Sequence, residues 1–173
     1  MGAEFTRLLL GNDLRKLKHN NKVIEAVNDQ KSFDELFRLV FHQDRALVMR
    51  AADAVEKIAA KNPTYLKPHK AELLSVLKNA EHQELKWHIA QLIARIDLDK
   101  TELTEAMHIL SCWARNKNES KIVRVNALQG LFDIAQTHHE WKNSVLETLA
   151  LMQHEMVPSI QARIRKLRKV KIL

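Results

Sequence analysis

Nine histidines in 173 residues are the natural place to look for chemistry, because imidazole both ligates metals and moves protons near neutral pH. The densest group is His138-His139-Glu140. Adjacent residues seldom reach one ion together, and no histidine stands four places away to complete a zinc-type helical pair. His42, His82, His108 and His154 are scattered. Cys112 is the only cysteine, with no acid or base beside it in sequence, and reads as a small buried hydrophobe in a reducing compartment. Three glycines cannot build a phosphate-cradling loop, and no Gly-x-Ser-x-Gly elbow occurs. Carboxylates are plentiful, but no motif pairs an acid with a base. The expectation is a chain with no catalytic residue, no metal and no cofactor, and hence not an enzyme.

Charge is distributed unevenly. The formal net charge is +7, and residues 156–173 carry Arg163, Arg165, Lys166, Arg168, Lys169 and Lys171 with no acid. That end therefore holds six of the seven net charges, and the rest of the chain is nearly neutral. Runs such as Leu149 to Met152 are too short to cross a bilayer, and Leu8-Leu9-Leu10 is too brief for a signal-peptide core. No membrane association is expected, and the location is expected to be cytoplasmic.

The elements that would position these residues follow from an internal repeat. Apolar or small residues stand at offsets 0, 4, 5, 7, 8 and 11 from Leu47, from Leu85 and from Val123, and a weaker copy starts at Ile160 with Ile164 and Leu167. The starts are 38, 38 and 37 residues apart. Those offsets share one face of an α-helix, so each copy predicts a helix with a wide apolar stripe. A second helix is predicted after each copy, over 66–79, 102–116 and 141–154, and an earlier one over 32–42. Ser32 with Glu35 reads as a capping box, and Thr101 as an N-cap. Pro63 should stop a helix, and Pro68 and Pro158 suit first turns.

Two-helix units of this length, with Val-Arg-x-x-Ala-Leu-x-Gly-Leu at Val123 to Leu131, resemble HEAT repeats. Val48 and Lys86 stand where the family often has the arginine that Arg124 supplies. The resemblance implies an all-α, α-α superhelix, a right-handed HEAT-like solenoid of about four helix pairs plus a basic C-terminal helix. A single domain over 1–173 is expected: an irregular repeat in 1–43, three regular pairs in 44–155, and the basic helix in 156–173.

HEAT repeats serve many functions, so function must come from surfaces. Offsets 3, 6 and 10 of the first helices are expected to point away from the core, as a mixed-charge ladder that includes Arg50, His88, Arg95 and Asp133. Trp87, if exposed, would anchor an interface, so Arg50, Trp87, His88 and Arg95 are candidate partner contacts. The second helices would line the concave surface, with Lys70, Glu72, Lys78, Glu105, His108, Arg115, Lys142 and Glu147 of mixed sign. The basic end has three readings: a polar cap, a phosphate binder, or a dock for an acidic protein. The leading expectation is a non-catalytic scaffold that binds another protein. Nucleic-acid binding through Arg163, Arg165, Lys166, Arg168, Lys169 and Lys171 is the alternative. A third is a HEAT-like DNA alkylation-repair glycosylase using Trp87, Trp113, Trp141 and Asp133. The sequence leaves the oligomeric state open.

Overall fold

The computed structural model describes residues 2–10 and 18–170, and the side chains of all of these except 18–20. The described elements are all helical. They are α1 (Gly2–Leu10), α2 (Lys18–Ala26), α3 (Gln30–Arg38), α4 (Arg45–Lys61), α5 (Lys70–Asn79), α6 (Gln83–Leu92), α7 (Lys100–Arg115), α8 (Lys121–Thr137), α9 (Lys142–Leu151) and α10 (Pro158–Lys169). Short 3-10 turns at Leu39–Phe41, Pro63–His69, Ile93–Arg95 and His139–Trp141 adjoin them. The copies starting at Leu47, Leu85, Val123 and Ile160 are α4, α6, α8 and α10, and Leu47, Ile89, Val123 and Ile160 are all buried.

The chain forms two compact units, Met1–His69 and Lys70–Leu173. In the first, α4 packs against α1, α2 and α3. Its core is Phe5, Leu9, Phe33, Leu36 and Leu47, closed by alanines 51, 52 and 54, which are at most 1% exposed. In the second, α8 packs on α6 and α10 in one layer, while α5, α7 and α9 follow one another in the other. This is the two-layer stack of helix pairs that the repeat predicts.

Gly130 sets the α6–α8 crossing. A Cβ there would lie 2.2 Å from the carbonyl oxygen of Ala90. The two backbones therefore approach more closely than any side chain permits, and the small residues at offsets 5 and 7 are what allow it.

Helix starts differ in detail from the sequence expectation. Asp29, not Ser32, caps α3. Its carboxylate accepts the Ser32 N–H at 2.7 Å, and the Ser32 hydroxyl accepts the Asp29 N–H at 3.2 Å. Asp99, not Thr101, caps α7, accepting the Thr101 and Glu102 N–H groups, while Glu102 reaches back to the Asp99 N–H at 2.8 Å. In both places the charged acceptor two or three residues upstream wins, and the expected cap becomes part of the first turn. Asn62 ends α4 before Pro63, and Pro158 opens α10, as expected. Pro68 instead lies within the 3-10 turn, so α5 starts only at Lys70. The last turn of α6 tightens at Ile93–Arg95. Ile96 is thereby extended and half-buried, whereas its equivalents Ile58 and Ile134 are buried.

In the first unit, the His69 Nε2 lies 2.7 Å from the Asp34 Oδ1, and its ring stacks on Phe37 with centroids 4.0 Å apart. Gln30 donates to the same carboxylate oxygen at 2.7 Å. Burial alone would raise the Asp34 pKa, but the hydrogen bonds from Gln30 and His69, with the charges of His69 and Arg38, bring it below the ordinary value. An acid with a lowered folded pKa contributes stability above its unfolded pKa and loses it as pH falls through the folded one. We expect the wild-type unfolding midpoint to fall below about pH 4, and Asp34→Asn to flatten that part of the profile. An unchanged slope in Asp34→Asn would refute the assignment.

Candidate functional site

The polar side chains of the second unit fall into two sets: those that hold the repeats together and those left facing outward. The first set begins at offset 1 of each first helix. The Lys86 ammonium pairs with Glu119 in the loop before α8 and lies 5.5 Å from the Trp113 ring centroid. Arg124, only 3% exposed, donates through Nε to the Ala114 carbonyl at 2.9 Å and through Nη2 to Glu155. Gln161 donates from Nε2 to the carbonyls of Gln153 at 2.9 Å and Glu155 at 2.8 Å. Lys86 thus makes an ion pair of the same kind as Arg124, although it replaces the family's arginine. Across the second layer, Lys70 pairs with Glu102 at 2.5 Å and Lys78 with Glu105 at 2.7 Å. These charges cancel pairwise and leave no single-sign groove along α5 and α7.

Of the ladder at offsets 3, 6 and 10, only Lys166 and Val170 on α10 are exposed, and the other positions are buried or half-buried. His88 is completely buried, its ring tilted against Trp87 with centroids 3.5 Å apart. Arg50 is half-buried and donates to the Leu9 carbonyl. Trp87 and Arg95 are half-buried as well. The reason is geometric: a helix flanked by neighbours on two sides has a buried arc wider than the apolar stripe suggests. His88 is therefore a packing residue and not a partner contact.

The same ladder joins α8 to α10. Arg163 donates to Gln129, whose amide donates to Asp133 at 2.6 Å. Burial raises the Asp133 pKa, against the lowering effects of Gln129, Arg95, Arg163 and Lys166, and the net position stays above the ordinary value. The tryptophans proposed beside Asp133 occupy other surroundings. Trp113 lies under Lys86, Trp87 against His88, and Trp141 in a cleft of 400 Å³ with Leu98, Leu103 and His138.

Outward-facing charges of a single sign occur on α10, whose charged residues are all basic. Ile160, Ile164 and Leu167 bury one stripe of that helix. Helical geometry then fixes the rest. Gln161 and Arg168 share the flank toward the α9–α10 loop, where the Arg168 Nη2 donates to the Gln153 Oε1 at 3.2 Å. Arg163 takes the opposite flank toward α8. Arg165, Lys166 and Lys169 are exposed between the flanks. Arg165, Lys166, Arg168 and Lys169 make no ion pair with another described residue. Lys166, Arg168 and Lys169 complement the negative end of the helix dipole. Lys171 lies outside the described residues.

Beside this helix, a groove of 490 Å³ is edged by Leu151, Met156 and Val157, with Lys117 and His154 around it and the Arg124–Glu155 pair at its wall. Leu151 is 62% and Met156 93% exposed. The sequence reading missed both, because a lone leucine or methionine near a helix end has no periodic signature. Cys112 also departs from expectation. It is exposed, on the solvent side of α7, with its sulfur 3.6 Å from the His108 Nε2. His138 and Glu140 sit in the predicted inter-helix turn, 3.8 Å apart, with His139 exposed beside them. Among the described residues, no three His, Cys, Asp or Glu side chains come together as a metal-ligand set, and no helix is long and apolar enough to cross a membrane.

A family model described as HEAT repeat domain matches residues 9–171, nearly the whole chain. The chain belongs to the HEAT repeat domain family. No curated protein and no solved structure matches it. Membership in this HEAT repeat family accounts for the all-α solenoid class and the alternating layers. It describes a helical repeat scaffold of a kind that often mediates protein interactions and is typically non-catalytic.

Proposed function

We propose that this HEAT repeat protein is a non-catalytic scaffold that binds another protein, with the whole of residues 1–173 acting as one repeat domain. The observation that carries the reading is the division of polar side chains in the second unit. Lys86, Arg124, Gln161, Lys70 and Lys78 are spent on holding helices and loops. The cations of α10 and the apolar edge at Leu151 and Met156 are left facing outward. Mixed apolar and charged exposure of this kind suits a protein partner. An exposed free thiol at Cys112 suits a reducing compartment, so we place the protein in the cytoplasm.

Phosphate binding by α10 is the second reading, favoured by cations that lack carboxylate partners among the described residues. Photo-crosslinking side chains placed at Arg115, Leu146 and Lys169 distinguish the two. Protease-sensitive adducts are expected. Adducts that only nuclease removes would overturn the protein-binding reading. Incubation with alkylated duplex DNA should release no base, and release would overturn the non-catalytic assignment.

A further inference from the structure

The corner between α9 and α10 joins two features that ordinary solvated surfaces keep apart. Large apolar side chains stand in solvent there, with Leu151 62% and Met156 93% exposed at the rim of the 490 Å³ groove. The groove also continues into positive charge. His154 lines it and meets the Gln153 amide at 3.0 Å, and Gln153 in turn accepts from Arg168 on α10. From Arg168 the exposed cations proceed round the helix to Arg165 and Lys169. Lys117 also lines the groove. The one carboxylate in the groove, Glu155, is already paired with Arg124 and offers no field to repel an acid.

Resting on the protein-binding reading above, we infer that this corner docks a segment of a partner protein that is acidic and carries one large apolar side chain. The apolar side chain enters the groove between Leu151 and Met156. The carboxylates then run along α10 toward Arg168, Arg165 and Lys169. From Val157 to Arg168 along α10 is about 16 Å at 1.5 Å per residue. That is the reach of about three helical turns of peptide or five extended residues. Nucleic acid matches the corner less well. Its phosphates would satisfy the cations but leave Met156 and Leu151 in water, and α10 presents no aromatic side chain on which a base can stack.

The test uses the full chain and fluorescently labelled probes followed by anisotropy. The first probe is an acidic peptide of about twelve residues, rich in glutamate and containing one leucine. The others are its leucine-to-serine version, its glutamate-to-glutamine version, and a single-stranded and a duplex oligonucleotide of similar charge. The intact peptide should bind at least tenfold more tightly than either altered peptide and than both oligonucleotides. The Arg165→Glu/Lys169→Glu double variant and, separately, Met156→Ser should each weaken it at least tenfold. All three side chains are exposed, so circular dichroism should show unchanged folding. Equal binding of the serine peptide would remove the groove from the proposal. Tighter binding of an oligonucleotide, or no binding by any peptide, would overturn the proposal entirely. If peptides fail while crosslinks at Arg115 or Leu146 still give protein adducts, this corner is wrong and the scaffold reading stands. If those adducts are nucleic acid alone, both fall.

Discussion

Gly130→Ala will lower the unfolding temperature by about 4–8 °C, on a cost of about 2 kcal/mol in a chain of this size. Helix propensity alone predicts the opposite, since alanine in a helix interior is favoured over glycine by about 1 kcal/mol. The crossing decides the sign. The new Cβ would sit 2.2 Å from the Ala90 carbonyl oxygen and 3.3 Å from the Leu110 Cδ1. The leucine can yield by rotating. The carbonyl cannot, because it is backbone in the last turn of α6, so α6 and α8 must move apart and loosen the layer they share. Thermal denaturation followed by circular dichroism reads the effect directly, and a midpoint equal to or above wild type would show that the close approach is not tight.

Removing the Arg124 side chain should cost more. Its guanidinium is buried between the last turn of α7 and the loop ahead of α10, where it satisfies the Ala114 carbonyl and the Glu155 carboxylate. Arg124→Ala leaves a largely buried carboxylate without its counter-charge and a carbonyl without its donor. Losses for one-sided removal of this kind are about 3–5 kcal/mol. The Glu155 side chain, however, is 14% exposed and can recruit some water, so the lower end is expected. Urea denaturation should show a reduced midpoint with an unchanged slope. The double variant Arg124→Met/Glu155→Leu is the sharper comparison. Deleting both charges while keeping volume should recover the part of the loss due to the unpaired carboxylate, leaving only the Ala114 carbonyl without its donor. If the double variant were as unstable as the single one, the lost hydrogen bond to the Ala114 carbonyl and not the unpaired charge would be the cause.

The repeat was legible because burial imposes a period. Leu47, Ile89 and Val123 must turn toward the core on α4, α6 and α8, and any sequence that does so repeatedly displays its register. Polar interactions across the stack obey no such local rule. Lys86 and Glu119 are 33 residues apart, and Arg124 and Glu155 are 31 apart. Either glutamate could have been a solvated surface charge. The two separations are nearly equal, however, and that equality was the one available signal. Cap positions were off by two or three residues because Asp29 and Ser32, or Asp99 and Thr101, are all competent acceptors. Only the path of the incoming chain selects between them. The outward ladder failed at His88 because a helical wheel records hydrophobicity and not how many neighbours the helix has. The basic end could be counted from sequence. Its division into Arg163 held by Gln129 and Arg165 left in solvent needed the side chains.

Each cation at the head of a first helix fastens the loop that leaves its own pair, Lys86 to Glu119 and Arg124 to Glu155. The electrostatic latch of each unit is therefore self-contained, and a copied or excised length of 38 residues carries its latch intact. What does not travel is the glycine-on-carbonyl seam, which requires Gly130 on one helix and Ala90 on its neighbour. Arrays lengthened or shortened by whole units should thus keep their ion pairs and succeed or fail at the seams, making those two positions the ones to redesign first.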